Sequence, residues 1–440
     1  MRKIILFSFL FLTLSVMAQH TISGVFSPAD NYSWLIAYHL SPGNQSYVAD
    51  GAVNDGKFIL TLPENSAPGI YRLVYALPQD EFYFDVIYNG KEDVQLHFNA
   101  SKGINFLVSE ENKIFNKYFG EIQGLTGEIV RWYSEGKTDE AKFKKVTKEL
   151  KATQMAYEKL SNGMLIQHFI KANSPYIPRE NESLFDYVKN RKANYFSALD
   201  LKNPMLQASG FLMDKISNYV FTALPLQQMD PLETEKAIQE NVSEVSRQME
   251  GTSAGFKFHV FHKLWKLAAT NDYTTLSDFI YEDYLTPLAA VTRNQEIINE
   301  IKTHNRLRLG AIALEIEWGK GNTLKKLSGL KGYEYYMLIF WSSTCGHCLR
   351  DLPRLYEGLK QRTNLKVVAI GLEDDDIRWK IESAKFENFE HVLAMGKWEN
   401  EYAKLYDIAK TPTYFILDKE KRIIAKLDDS PGVIKFLEDN

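Results

Sequence analysis

The chain runs to 440 residues, 45% of them hydrophobic and 25% charged, with a formal net charge of −4. Length alone suggests roughly three domains, and the apolar fraction is enough to give each a core. With the balance slightly acidic and no basic cluster along the chain, nucleic acid and anionic membrane surfaces are excluded as expected partners.

Residues 1–18, MRKIILFSFLFLTLSVMA, place Arg2 and Lys3 before an apolar run from Ile4 to Met17, with the small residues Val16 and Ala18 ahead of a cut. This pattern predicts a secretory signal peptide cleaved after Ala18. An uncleaved anchor is the weaker alternative, because that run falls short of the ~20 residues needed to cross a bilayer. No later segment is long and apolar enough to span, and no cysteine precedes Cys345 to carry a lipoprotein anchor. The expected mature protein is exported, to the periplasm or cell envelope, without membrane insertion after cleavage.

Residues 19–108 alternate apolar and polar side chains in short runs such as SWLIAYHL, KFILTLP and FYFDVIYNG. Turn signals at Asn54-Asp55-Gly56, Pro68-Gly69 and Asn89-Gly90 separate them. The pattern predicts an antiparallel β-sandwich. Over 109–306 the period becomes helical, as in EAKFKKVTKELKATQMAYEKLSNGMLIQHFIKAN and PLETEKAIQENVSEVSRQME, with breaks at SPYIPRENES, LKNPM and QQMDP. No fixed repeat appears, so a helical bundle is expected rather than a solenoid. From 307 to 440 strands and helices alternate: YYMLIFW, a helix after Cys345, LKVVAIGL, DDIRWKIESAKF, HVLAM, ENEYAKLYDI, TYFILD, RIIAKL and PGVIKFLED. That alternation predicts an α/β domain with helices on the faces of a sheet, completing a multidomain α+β chain.

Cys345 and Cys348 are the only two cysteines. They fall where the strand ending at Trp341 gives way to a helix, so Cys345 stands at a helix N-terminus, whose unpaired N–H groups and dipole favour a thiolate. A stabilised thiolate is a lower-pKa nucleophile and a better leaving group. A protonated His347 would add positive charge beside it, and Gly346 leaves room for a partner chain. Three other readings compete. A structural staple closing so small a loop would stabilise by only about 2 kcal/mol. A zinc site lacks a fourth ligand even if His347 joined the cysteines. Two spare exposed thiols are the remaining reading.

The segment YYMLIFWSSTCGHCLRDLPRL resembles the active-site segment of the thioredoxin superfamily. The preceding EIEWGKGNTLKKLSGLKG resembles the opening hairpin of its TlpA/ResA-like branch of envelope thiol-disulfide oxidoreductases. The resemblance covers about 130 of the 440 residues. Trp341 matches the aromatic ahead of the motif, Pro353 the helix-kinking proline, and KTPTYFILDKEKRI the cis-proline loop, with Thr411-Pro412 as the expected cis bond. DGKFILTLPENSAPGIYRLVY is loosely similar to the small β-domain of unknown function found before such modules. The resemblance implies that Cys345 attacks a substrate disulfide, that Cys348 resolves the mixed disulfide, and that the Cys345–Cys348 pair cycles between dithiol and disulfide with no other cofactor. It implies as partners client proteins with cysteines or disulfides and an upstream thiol-disulfide electron donor or acceptor, with the Pro412 loop pairing to an extended client segment.

Two departures stand out. The buried acid of thioredoxin falls here at Ile339. TlpA/ResA-like proteins place an acid after the next strand, which makes Glu373 or Asp374 the candidate proton relay; the competing reading of Glu373 to Asp376 is a solvated loop capping the next helix. The dipeptide Gly346-His347 resembles protein disulfide isomerases and shifts the expected direction toward isomerase or oxidant behaviour. Elsewhere, His259 and His262 have a helical spacing open to a metal, but no cysteine or acid accompanies them and packing histidines are expected. WGKGNT is read as a hairpin turn rather than a phosphate loop. The leading expectation is an exported thiol-disulfide oxidoreductase. The alternative is an envelope peptide- or glycan-binding protein whose thioredoxin-like module is mainly structural.

Overall fold

In the computed structural model, residues 19–137 and 139–440 are described, so the expected signal peptide lies outside the described residues. The chain divides into two compact units, one ending at Thr292 and the other spanning Arg293–Asn440.

Eight strands open the first unit: β1 Thr21–Ser27, β2 Trp34–Ser41, β3 Asn44–Ala52, β4 Lys57–Thr61, β5 Gly69–Val74, β6 Tyr83–Tyr88, β7 Val94–Asn99 and β8 Gly103–Val108. They form two four-stranded sheets, ordered β4-β1-β7-β8 and β3-β2-β5-β6. Alternation does the sorting. In β4, Phe58 and Leu60 are buried while Ile59 is exposed, and both sheets send residues such as Ile22, Phe26, Leu73, Val86 and Phe98 into one core. The Asp55-Gly56 turn takes positive φ at both residues, as an Asp-Gly hairpin demands. All neighbouring pairs are antiparallel except β1 and β7, which run parallel.

Helices follow, from Glu110–Ser134 onward. Ser109 caps the first, which buries Ile114, Tyr118, Ile122 and Ile129 along one face. Asp230 and Glu233 form a reciprocal capping box at the start of Pro231–Gln248. The stretch expected to be helical from Glu140 is broken after Leu160 and resumes at Gln167. There Gly163 adopts φ +82°, and the Ile166 N–H donates to the buried Glu111 carboxylate. Asn112 closes the edge of the second sheet: its side chain accepts from the Ile87 N–H at 2.9 Å and donates to the Ile87 carbonyl at 2.6 Å. The helix thereby supplies the hydrogen bonds that a ninth strand would have given to β6 at this point.

The second unit begins with the helix Gln295–Leu307 and a short hairpin, β9 Glu317–Trp318 with β10 Lys325–Lys326. Its main sheet has five strands: β11 Tyr335–Trp341, β12 Leu365–Glu373, β13 Glu390–Met395, β14 Thr413–Leu417 and β15 Ile423–Leu427, in the order β13-β12-β11-β14-β15. β12 runs parallel to β11 and β13, whereas β14 is antiparallel to β11 and β15. The unbroken apolar run of β11 follows from burial on both faces. Tyr336, Leu338 and Phe340 enter one core, Met337, Ile339 and Trp341 the other. The molecule is thus a mixed α+β protein with an N-terminal β-sheet region, a central helical region and a C-terminal α/β unit.

Candidate functional site

The main chain leaves β11 at Trp341, turns through Ser342–Thr344 and enters the helix Gly346–Leu359 with Cys345 as its N-cap. The Cys345 sulfur does what a capping oxygen would do, accepting the Cys348 N–H at 3.3 Å. Its own S–H donates to the Thr411 carbonyl at 3.4 Å. Thr411–Pro412 is a cis peptide at the head of β14. Sixty-odd residues of sequence are thereby folded back onto the sulfur. Cys345 is partly exposed, Cys348 is fully buried, and both are free thiols. No atom lies within 4 Å of the place a Gly346 Cβ would occupy, so this side of the motif is open. Pro353 sits inside the helix, where it removes one main-chain hydrogen bond.

The two sulfurs are electrostatically unlike. Burial raises the Cys345 thiol, but hydrogen bonds from Cys348, the Thr411 side chain and the His347 backbone outweigh it, and the net pKa lies below the ordinary thiol value. Cys348 is pushed up to about 12, first by burial and then by the Cys345 sulfur beside it, against a smaller opposing hydrogen bond from the Ser342 backbone. The outer thiol ionises first and the inner one holds its proton.

His347 acts on this site through its backbone. Its exposed ring turns to Arg350, whose guanidinium donates to Nδ1 at 2.7 Å. Trp341 lies beneath the motif in the same apolar cluster as Cys348, edge-on to Phe386. Ile339 is fully buried in that cluster and carries no proton.

The acidic run after β12 separates into distinct roles. Asp374 pairs with Lys397 at 2.5 Å, Asp375 caps the Ile377 N–H, and Asp376 pairs with Lys380 one turn on. Glu373 alone points inward, with 2% of its surface exposed. Its carboxylate accepts from the Ser343 N–H at 2.5 Å and from the Ser342 hydroxyl at 3.3 Å. The parallel register explains this, since Trp341 pairs with Gly371 and two further residues bring Ser343 level with Glu373. Ser342, Ser343 and Thr344 escaped the reading of the sequence; their only signal was the polar triplet between Trp341 and Cys345. Tyr414 also escaped it. It is buried opposite Ile339, its hydroxyl 3.1 Å from Ser430 Oγ, and burial pushes it up to about 12.

A family model described as thioredoxin-like matches residues 332–423, which hold the Cys-x-x-Cys turn, the Pro412 loop and all but the last part of the main sheet. The C-terminal unit carries a thioredoxin-like domain. Among solved structures, the chain is 30% identical to a domain of a possible thiol-disulfide isomerase from Cytophaga hutchinsonii. That match covers 30% of this chain and 92% of the other, with a TM-score of 0.27. It is 21% identical to the thioredoxin domain of a thiol-disulfide oxidoreductase from Bacteroides vulgatus, covering 30% and 97% of the two chains at a TM-score of 0.27. A thioredoxin-like protein from Bacteroides caccae is 16% identical and covers 60% of this chain and 97% of its own, at a TM-score of 0.30. None of the curated proteins matched the chain.

Outside the thioredoxin-like domain, His259 and His262 lie on the helix Ala254–Thr270, where His262 stacks on Trp265. Among the described residues no group of three or more histidines, cysteines, aspartates and glutamates is placed to hold a metal, and no helix is long and apolar enough to cross a membrane.

Proposed function

We propose that the protein is an exported thiol-disulfide oxidoreductase of the TlpA/ResA-like kind, working through the Cys345-Gly346-His347-Cys348 motif in the periplasm or cell envelope. The observation that carries this reading is the asymmetry of the two sulfurs: one partly exposed and inclined to ionise, the other buried and reluctant. The Cys345 thiolate attacks one sulfur of a client disulfide. The client S–S bond breaks, a Cys345–client bond forms, and the released client thiolate takes a proton from solvent. Cys348 then loses its proton and attacks Cys345. The mixed disulfide breaks, the client leaves as a dithiol, and the Cys345–Cys348 disulfide holds the two electrons' worth of oxidation.

Cys348 needs a base for the second step, and we assign that role to Glu373, the buried carboxylate behind Ser342 and Ser343. Ser342 links the two, its backbone bonding the Cys348 sulfur and its hydroxyl the Glu373 carboxylate. Reversed, the cycle donates a disulfide, and Gly346-His347 favours that isomerase or oxidant direction. An upstream thiol-disulfide partner resets the pair. Thr411 and Pro412 supply the main-chain edge on which an extended client segment pairs.

The test is capture in cells. Cys348→Ser should accumulate mixed disulfides on Cys345 that reducing agent releases, while Cys345→Ser should accumulate none. Equal yields from the two variants, or none from either, would sink the proposal. The second reading, a peptide- or glycan-binding role, is favoured by a cleft of about 400 Å³ in the first unit. Arg72, Tyr83, Asp214, His262 and Lys263 line it.

A further inference from the structure

A buried base is useful only if its proton can leave. Glu373 is 2% exposed and Ser342 7%, while Thr344 stands in solvent. A carboxylate only accepts, so the Ser342 hydroxyl spends its single proton on Glu373 Oε2. The 2.9 Å contact between Ser342 Oγ and Thr344 Oγ1 must then run from Thr344 to Ser342. The Thr344 N–H, at 3.2 Å, fills the remaining acceptor site on Ser342 Oγ. These bonds make a polarised row, Thr344 to Ser342 to Glu373, leading from the exposed Thr344 hydroxyl to the buried carboxylate. The Ser343 N–H holds the other carboxylate oxygen in place.

We infer that Ser342 and Thr344 are the proton exit of this site, a two-hydroxyl relay that returns to solvent the proton Glu373 takes from Cys348. The inference rests on the proposed role of Glu373 as the base. Once Glu373 is protonated, its O–H donates to Ser342, Ser342 passes its proton to Thr344, and Thr344 delivers one to water. Every hydroxyl ends with one proton and its bond reversed. In the opposite direction of exchange the same row recharges Glu373, which reprotonates Cys348 as it leaves. Ser342 and Thr344 are positioning residues in this scheme, acting through Glu373.

The decisive measurement is single-turnover release of a client thiol from the Cys345 mixed disulfide, in H₂O and D₂O. Thr344→Val keeps the shape of an exposed side chain and removes the outer hydroxyl; it should slow release about tenfold, a fraction of what a full general base contributes. Thr344→Ser should restore the rate, and so should imidazole added to the Thr344→Val protein, by accepting the proton directly from Ser342. Ser342→Ala should give the same slowing and a smaller solvent isotope effect than the wild type. A Thr344→Val protein as fast as wild type, or slowed in a way imidazole does not relieve, overturns the relay. Glu373→Gln separates the two claims. If it leaves release unchanged, the base reading and the relay both fall; if it slows release while Thr344→Val does not, the relay alone falls.

Discussion

Cys345 and Cys348 are chemically the same residue three positions apart, and their surroundings make them opposites. The Cys-x-x-Cys spacing at a strand-to-helix boundary was enough to nominate Cys345 as the nucleophile, because the capping position dictates that its sulfur meets the first free N–H groups of the helix. The reluctance of Cys348 was not legible, since it comes from burial among residues such as Ile339, Leu352 and Tyr414. The consequence is a split titration. Alkylation by iodoacetamide should label Cys345 with a midpoint below that of a free thiol and leave Cys348 unlabelled until near pH 12. Mass spectrometry of the labelled peptide reads both sites, and a midpoint they share would contradict the assignment. Glu373 and Asp374 teach the same lesson from the acidic side. They are neighbours in the sequence and looked interchangeable, but the pleat turns one inward to Ser343 and the other outward to Lys397.

At the scale of elements, a single carboxylate gathers three hydrogen bonds where the short β9–β10 hairpin meets the edge of the main sheet. Glu390 on β13 accepts from Trp318 Nε1 at 3.2 Å, Lys325 Nζ at 2.8 Å and Lys366 Nζ at 3.0 Å. Burial alone would raise its carboxyl, but the hydrogen bonds from Lys325 and Lys366 prevail and bring it to about 2. A folded-state value below the unfolded one means stability that is present above about pH 4.5 and is lost as pH falls toward 2. Glu390→Gln should therefore cost on the order of 2 kcal/mol at pH 7, and the difference from wild type should vanish by pH 2. Urea denaturation across that range checks it; a difference independent of pH would assign the loss to packing. The hairpin itself was legible from EIEWGKGNTLKKL. Its docking partner was not, because Glu390 lies 65 residues beyond Lys325.

Across the molecule, Asn112 ties the helical region to the sandwich in the first unit. Asn112→Ala would leave the buried Ile87 N–H and C=O unpaired, so a loss of about 2–4 kcal/mol in denaturant unfolding is expected; a loss under about 0.5 kcal/mol, the size of an ordinary surface change, would remove the clasp from the account. Nothing in the run VSEENKIF distinguishes Asn112 from a solvated helix residue. What the sequence determined by itself was whatever depends on near neighbours: strand alternation, helix faces and caps, the Asp55-Gly56 turn, and the placing of Cys345 at a helix start. The tertiary structure decided whatever depends on which distant segments share a dry space. That covers the parallel pairing of β1 with β7, the burial that holds the proton on Cys348, and the alignment of β11 with β12 that sets Glu373 behind Ser342. Local geometry is written in the order of residues; desolvation and long-range hydrogen bonds exist only once the chain has closed around them.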